Sequence, residues 1–290
     1  MAIERVGVVG FGAMGSGIAQ VIAAAGFPVT VREVDQAAID RGWKGIDSSL
    51  ARVVKAGRMS EADAKAARGR IGASTSFEAF RDRDLVIEAV LEIADVKRKV
   101  FEELDALCPP SAIFASNTSS LPIVDMAVTT KRPQRFAGLH FFNPAPVMPL
   151  VEVVRAVTTS DETVATLRAF VERIGKVPVV SKDVAGFIVN RLLVPYMLDA
   201  IRVLEQGIAS VEDIDTAVKN GLRHPMGPFE LLDYTGLDIA YHVGNVFFEE
   251  FKEPRMAPPP LLKRMVAAGR LGKKTGRGFY EWDEKGIKGR

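Results

Sequence analysis

A single cysteine, Cys108, is present in 290 residues, so an intramolecular disulfide and any cysteine-built metal cluster are excluded. It precedes Pro109-Pro110 with no histidine or basic residue near it in sequence, which predicts a packed, unactivated thiol at a helix end. Long apolar runs are missing too: Val21 to Val29 and Val184 to Val189 fall well short of the roughly 18 residues a membrane span needs. The first strand-like run starts at Ile3, leaving no room for a cleavable signal or an Arg-rich transit peptide, so the chain is expected to be intracellular or already processed, with a cytoplasmic location. A strong charge of either sign is lacking as well. With a net charge of +2 and basic residues dispersed along the chain, neither nucleic acid nor a membrane surface is an expected partner. Internal repeats and low-complexity tracts are absent.

Three histidines remain, and one stands out. His140 closes the apolar run Phe136 to Phe142 just before Asn143-Pro144, and twelve residues later Glu152 interrupts Leu150-Val151-Glu152-Val153-Val154. A carboxylate inside a strand of Val and Leu is costly to bury unless paired, and an imidazole from a neighbouring strand is a natural partner. A histidine held by a glutamate in one tautomer can exchange a proton with a substrate near neutral pH. His224, before Pro225 in a turn, and His242, in a helical stretch, lack that setting and read as structural.

The first half alternates apolar runs with helical patterns, which predicts a parallel sheet with crossover helices. Predicted strands are Arg5 to Val9, Val29 to Arg32, Leu85 to Ala89, Ala112 to Ser116, Phe136 to Phe141, Val151 to Val154 and Val177 to Val180. Gln36 to Arg70, with the breaker Gly57, reads as an inserted helical hairpin. After Gly186 the strand signals give way to amphipathic helices such as Phe187 to Glu205 and Val211 to Leu222, with Pro258-Pro259-Pro260 as a loop. The expected fold is an α/β Rossmann-type N-terminal domain with an inserted helical hairpin, residues 1–184, followed by an all-α C-terminal domain, residues 185–290.

Val6-Gly7-Val8-Val9 runs into Gly10-Phe11-Gly12-Ala13-Met14-Gly15 and then a helix. In a dinucleotide fold Gly10 permits the tight turn, Gly12 lets a pyrophosphate approach the backbone, and Gly15 lets helix and strand pack closely, with the helix N-terminus facing the phosphates. Glu33, at the end of the next strand, is placed to bond the adenine ribose and to repel a 2′-phosphate, favouring NAD over NADP. Arg32 beside it softens that choice, is a solvated surface charge, or stacks on the adenine.

Together with Ser116-Asn117-Thr118-Ser119-Ser120-Leu121, Gly186-Phe187-Ile188-Val189-Asn190-Arg191, Val86-Ile87-Glu88-Ala89-Val90, His224-Pro225-Met226-Gly227-Pro228-Phe229 and Gly272-Lys273-Lys274-Thr275-Gly276, these segments form an ordered set. The chain resembles the L-3-hydroxyacyl-CoA dehydrogenase family, especially its free-standing bacterial 3-hydroxybutyryl-CoA members, from Gly10 to Tyr280. The resemblance implies His140, Glu152, Ser119 and Asn190 as catalytic or substrate-contacting residues. For NAD it implies Gly10, Phe11, Gly12, Ala13, Met14, Gly15, Glu33, Glu92, Lys97, Ser119, Asn143 and Lys274, and for the CoA moiety Ser49, Lys55 and Ser119. It also implies an acyl-CoA substrate and a homodimer formed through the C-terminal domain. Three departures from the family pattern are Glu33 where aspartate is common, Pro149 where lysine is frequent, and Lys55-Ala56-Gly57-Arg58 in place of a lysine cluster.

The expected activity is interconversion of (S)-3-hydroxyacyl-CoA, foremost 3-hydroxybutyryl-CoA, and the 3-oxoacyl-CoA by hydride transfer with NAD, His140 acting as base and acid. Hydride chemistry needs no metal. Two alternatives stay open at this point: a CoA-independent 3-hydroxy acid dehydrogenase of the gulonate or carnitine type, and a silent NAD-binding structural protein like the related lens crystallin. Acyl chain length and the direction of flux are left open as well.

Overall fold

The computed structural model describes residues 3–289, which form two compact units dividing between Phe187 and Ile188. The first is an α/β unit whose elements run β1 (Val6–Val9), α1 (Ala13–Ala24), β2 (Val29–Arg32), α2 (Gln36–Lys55), α3 (Glu61–Gly69), β3 (Ile71–Ser74), β4 (Leu85–Glu88), α4 (Ala94–Leu107), β5 (Ile113–Ser116), α5 (Ile123–Ala127), β6 (Phe136–Phe141), β7 (Leu150–Arg155), α6 (Asp161–Arg173) and β8 (Val177–Lys182). They build an eight-stranded sheet in the order β3-β2-β1-β4-β5-β6-β7-β8.

Both faces of the sheet are covered, so its inner strands are mainly apolar and successive side chains join opposite layers. Leu85 and Ile87 of β4 and Ile113 and Ala115 of β5 enter one core layer with Ile18 and Ile22 of α1 and Phe170 of α6. Val86 and Phe114, one residue out of phase, enter the other with Phe101 and Leu104 of α4 and Ile123 of α5.

Two features depart from the expected sheet. β3 was not among the predicted strands: Ile71-Gly72-Ala73-Ser74 carries one large apolar residue and lies at the sheet edge, so only Ile71 is buried and the alternation that marks a strand is missing. The sheet is also not parallel throughout, because β6 and β7 pair antiparallel. Only residues 142–149 connect them, too few for the dozen or so that a parallel crossover requires.

The inserted segment is a helical hairpin. Asp35 caps α2 by accepting from the Ala38 amide (2.7 Å), and Ser60 caps α3 by accepting from that of Asp63 (3.0 Å). Gly57, at φ +68°, turns the chain between them. The hairpin is tied to the glycine-rich loop through Phe11, whose ring meets Trp43 edge-on at 5.2 Å.

The second unit is helical: α7 (Val189–Glu205), α8 (Val211–Gly221), α9 (Pro228–Thr235), α10 (Leu237–Phe251) and α11 (Pro260–Ala267). Pro260, expected in a loop, is the first residue of α11, where a missing N–H costs nothing. A short antiparallel ribbon, β9 (Trp282–Asp283) with β10 (Gly286–Ile287), follows. Two buried aspartates fasten this end: Asp215 accepts from the Phe229 and Glu230 amides and the Tyr280 hydroxyl, and Asp233 from the Phe279 and Tyr280 amides and the Trp282 indole.

Candidate active site

The antiparallel junction places His140 and Glu152 as register partners, facing each other across β6 and β7. His140 Nδ1 lies 2.6 Å from Glu152 Oε2. The carboxylate is fully buried and the imidazole is 6% exposed, so water competes little for the contact. The rings of Phe142 and Phe187 stand 4.6 and 5.5 Å from the imidazole. Phe187 is held at φ +47°, a conformation that non-glycine residues seldom adopt, immediately after Gly186 at φ +78°. With Nδ1 engaged by the carboxylate, Nε2 is the ring nitrogen left for proton exchange.

A second centre lies at the C-terminal ends of the central strands, where open α/β sheets bind their ligands. A cavity of about 620 Å³ extends from Glu33, Gly10 and Gly12 to Asn117 and Ser119, with Glu92 and Lys97 in its wall. Each glycine has a distinct reason. Gly10 sits at φ +101°, and a Cβ there would come within 2.5 Å of the Ala89 carbonyl; at Gly15 it would lie 1.9 Å from the Gly10 carbonyl. At Gly12 a Cβ would meet nothing within 4 Å, so that backbone is open to a ligand. Gly12 caps α1, and neither a side-chain cap nor an acidic residue serves the first turn of that helix. Its free amides and positive dipole end fit a pyrophosphate.

Glu33 Oε2 accepts from the Phe11 amide (2.8 Å) and Oε1 from the Val34 amide (2.7 Å), which anchors the carboxylate beside the glycine-rich loop. Phe11 itself is buried against the hairpin with its amide taken by Glu33, and the cavity is lined by its neighbours Gly10 and Gly12. The Arg32 guanidinium stacks on Phe77 at 4.2 Å and its Nε donates to the Thr75 carbonyl, so this charge is engaged beside the β2 end of the cavity.

At the other end, Glu92 Oε1 accepts from the Ser119 amide (3.0 Å), the Thr118 hydroxyl and the Ser120 hydroxyl (3.1 Å). Burial alone would raise the Glu92 carboxyl, but the Lys97 charge and the hydrogen bonds from Thr118, Lys97 and the Ser119 amide outweigh it and hold the group below the ordinary carboxylate range. The Thr118-Ser119-Ser120 turn is capped by Thr118, whose Oγ1 accepts from the Leu121 amide (2.9 Å), and not by Ser119. Asn117 Oδ1 accepts from the Phe141 amide (2.9 Å), linking this turn to the strand that carries His140.

Sequence reasoning assigned no role to Glu88, Asn117 or Thr118. Glu88 is fully buried at the end of β4, and Lys97, 1% exposed, donates to it at 2.7 Å and to Glu92 at 3.1 Å. The signal was legible: Glu88 closes a Leu-Val-Ile strand and needs a buried partner as Glu152 does.

The remaining expected residues are dispersed. Ser49, half-buried, and Lys55, exposed, lie on α2, where Lys55 borders a hollow of about 450 Å³ shared with Leu50, Val54 and Glu61. Asn143 is exposed after β6. In the second unit, Asn190 is half-buried in the first turn of α7, and Lys274 binds Asp238 with both Nζ–Oδ distances at 2.6 Å. Gly272, at φ +95°, packs closely in this unit: a Cβ there would strike the Asp233 backbone carbonyl at 2.2 Å. His224 packs edge-on to Tyr196 at 5.7 Å, and His242 lies within α10. Among the described residues no His/Cys/Asp/Glu group has the arrangement of a metal site, and no helix is long and apolar enough to cross a membrane.

Residues 5–184 match the sequence family described as 3-hydroxyacyl-CoA dehydrogenase, NAD binding domain, and residues 186–282 match its C-terminal domain. The 3-hydroxybutyryl-CoA dehydrogenase of Mycobacterium tuberculosis (strain ATCC 25618 / H37Rv) is 53% identical over 283 residues, spanning 97% of this chain and 99% of the relative. Among solved structures, M. tuberculosis FadB2 superposes with a TM-score of 0.95 at 53% identity, covering 98% of this chain and 100% of that one. (S)-3-hydroxybutyryl-CoA dehydrogenase PaaH1 from Ralstonia eutropha does so with a TM-score of 0.94 at 44% identity, with the same coverage.

Proposed function

Because this chain belongs to the 3-hydroxyacyl-CoA dehydrogenase family, we propose that it interconverts (S)-3-hydroxybutyryl-CoA and acetoacetyl-CoA, with His140 as the proton-transfer residue. The reaction class follows from the family: NAD-dependent oxidoreduction of a 3-hydroxyacyl-CoA. The observation that carries the residue assignment is the buried 2.6 Å contact between His140 Nδ1 and Glu152 Oε2.

Bound NAD supplies the hydride acceptor or donor. In the oxidative direction His140 Nε2 takes the proton from the C3 hydroxyl, and Glu152 stabilises the imidazolium and holds its tautomer. In the reductive direction the same nitrogen returns the proton. Ser119 hydrogen-bonds the reacting oxygen, and Asn190 positions the imidazole or the substrate carbonyl. Gly10 to Gly15 cradle the pyrophosphate, Glu33 bonds the adenine ribose, and Glu92, Lys97, Ser119, Asn143 and Lys274 complete the NAD contacts. Ser49 and Lys55 receive the CoA moiety, joined by Ser119. On this assignment residues 1–184 bind NAD, residues 185–290 serve the substrate and a homodimer contact, and the enzyme works in the cytoplasm.

The test is NADH oxidation by the purified protein with acetoacetyl-CoA, run beside free acetoacetate and beside NADPH. Turnover that requires both the CoA thioester and NADH is expected. Activity on the free acid alone would move the protein to a CoA-independent dehydrogenase, and inactivity on both would leave a binding protein.

A further inference from the structure

Lys97 is a buried ammonium between two carboxylates, and only one of them faces the cofactor cavity. Glu92 lines that cavity; Glu88 does not, being fully enclosed behind Lys97. Glu88 is held in place on every side. Its Oε1 accepts from Lys97 Nζ (2.7 Å) and from the Val90 amide (2.7 Å), its Oε2 from the Ser116 hydroxyl (2.6 Å), and its main-chain carbonyl from the Asn117 amide (2.8 Å).

With one cation and two anions the cluster carries a net charge of −1. Lys97 lies closer to Glu88 than to Glu92, so the residual negative charge falls on the cavity side. The other charged side chains of the cavity wall, Arg32, Glu33 and Arg41, lie toward the β2 end. Oxidised and reduced nicotinamide differ by one positive charge on the ring, and a negative wall in a low-dielectric setting favours the oxidised ring.

We propose that Glu88 sets the preference of this site between NAD+ and NADH, by compensating Lys97 and so leaving Glu92 as an unbalanced negative charge at the nicotinamide end. The inference rests on the cofactor placement proposed above. Glu88 is a positioning residue, acting through Lys97 and Glu92 without touching the cofactor. Loss of its hydrogen bonds alone would loosen the Val90 and Ser116 segments and weaken both cofactor forms alike. Loss of its charge changes their ratio.

Dissociation constants for NAD+ and NADH, measured by titration calorimetry on wild type, Glu88→Gln, Lys97→Gln and Ser116→Ala, separate these cases. Glu88→Gln is expected to weaken NAD+ relative to NADH by about fivefold, a size suited to one partly screened charge nearby. Lys97→Gln is expected to move the ratio the other way, and it carries the test if Glu88→Gln does not fold. Ser116→Ala removes a hydrogen bond to Glu88 without a change of charge and is expected to leave the ratio unaltered. An unchanged ratio in a folded Glu88→Gln protein, or a shift in the same direction for both charge variants, overturns the inference. Wild-type protein that binds neither form would overturn the cofactor placement itself, and this inference with it.

Discussion

Glu152 stands directly opposite His140 across the antiparallel β6–β7 pair, with 2.6 Å between Oε2 and Nδ1. The short connection after His140 reverses the chain and returns the carboxylate to the level of the imidazole, so the twelve-residue spacing in sequence measures a hairpin. Side chains directly opposite in such a pair project from the same face of the sheet and meet.

This contact predicts how the pair fails. Glu152→Gln keeps the shape but removes the charge that stabilises imidazolium, so kcat should fall by about 10²-fold, and His140→Ala by about 10²- to 10⁴-fold. NADH affinity, measured by fluorescence titration, should change by no more than about twofold in either variant, a margin below 0.5 kcal/mol. Retained turnover in folded His140→Ala would remove the proton-transfer assignment, and lost NADH binding in Glu152→Gln would make Glu152 a structural residue.

Glu33 receives two backbone amides beside the glycine-rich loop, and Arg32 is engaged by Phe77 and the Thr75 carbonyl. Glu33→Gln should therefore weaken NADH by about tenfold while leaving NADPH unchanged or improved, since the carboxylate both bonds a ribose hydroxyl and repels a 2′-phosphate. The ratio of kcat/KM for the two cofactors reads this directly. A ratio equal to that of wild type would end the ribose assignment.

Cys108 bears on stability at alkaline pH. Burial pushes its thiol up to about 11 from an ordinary 9.0, against the lowering effect of Arg132 and Arg83, which the sequence did not place near it. A group whose native pKa is raised contributes stability that is complete below 9.0 and lost as pH rises toward about 11, because the unfolded thiol ionises first. The full swing is about 2 to 3 kcal/mol. The fall in Tm between pH 8 and pH 10.5 should be smaller in Cys108→Ala than in wild type, and equal slopes would refute the assignment. Native protein should also react far more slowly with a thiol reagent at pH 8 than unfolded protein does.

The legible parts of this protein were those whose information is contiguous. The glycine fingerprint lies within a few residues of the strand and helix it joins, and the apolar strands β1, β4 and β5 announce themselves because both of their faces are buried. Edge strand β3 did not, since half of Ile71-Gly72-Ala73-Ser74 faces away from any core. Glu88 was legible in principle by the argument applied to Glu152, but its partner Lys97 lies on a helix whose polar residues read as solvated until that helix is packed on the sheet.

The sequence by itself determined the Rossmann-type class, the nucleotide fingerprint, the family and the candidacy of His140 and Glu152, because local backbone geometry and strand burial leave their mark within short windows. Only the tertiary structure decided that β6 and β7 run antiparallel with His140 and Glu152 in register, that Thr118 and not Ser119 caps its turn, and that Lys97 is locked between Glu88 and Glu92. Strand register and the partner of a buried charge depend on which distant segments the packed sheet brings side by side, and no short stretch of chain encodes that on its own.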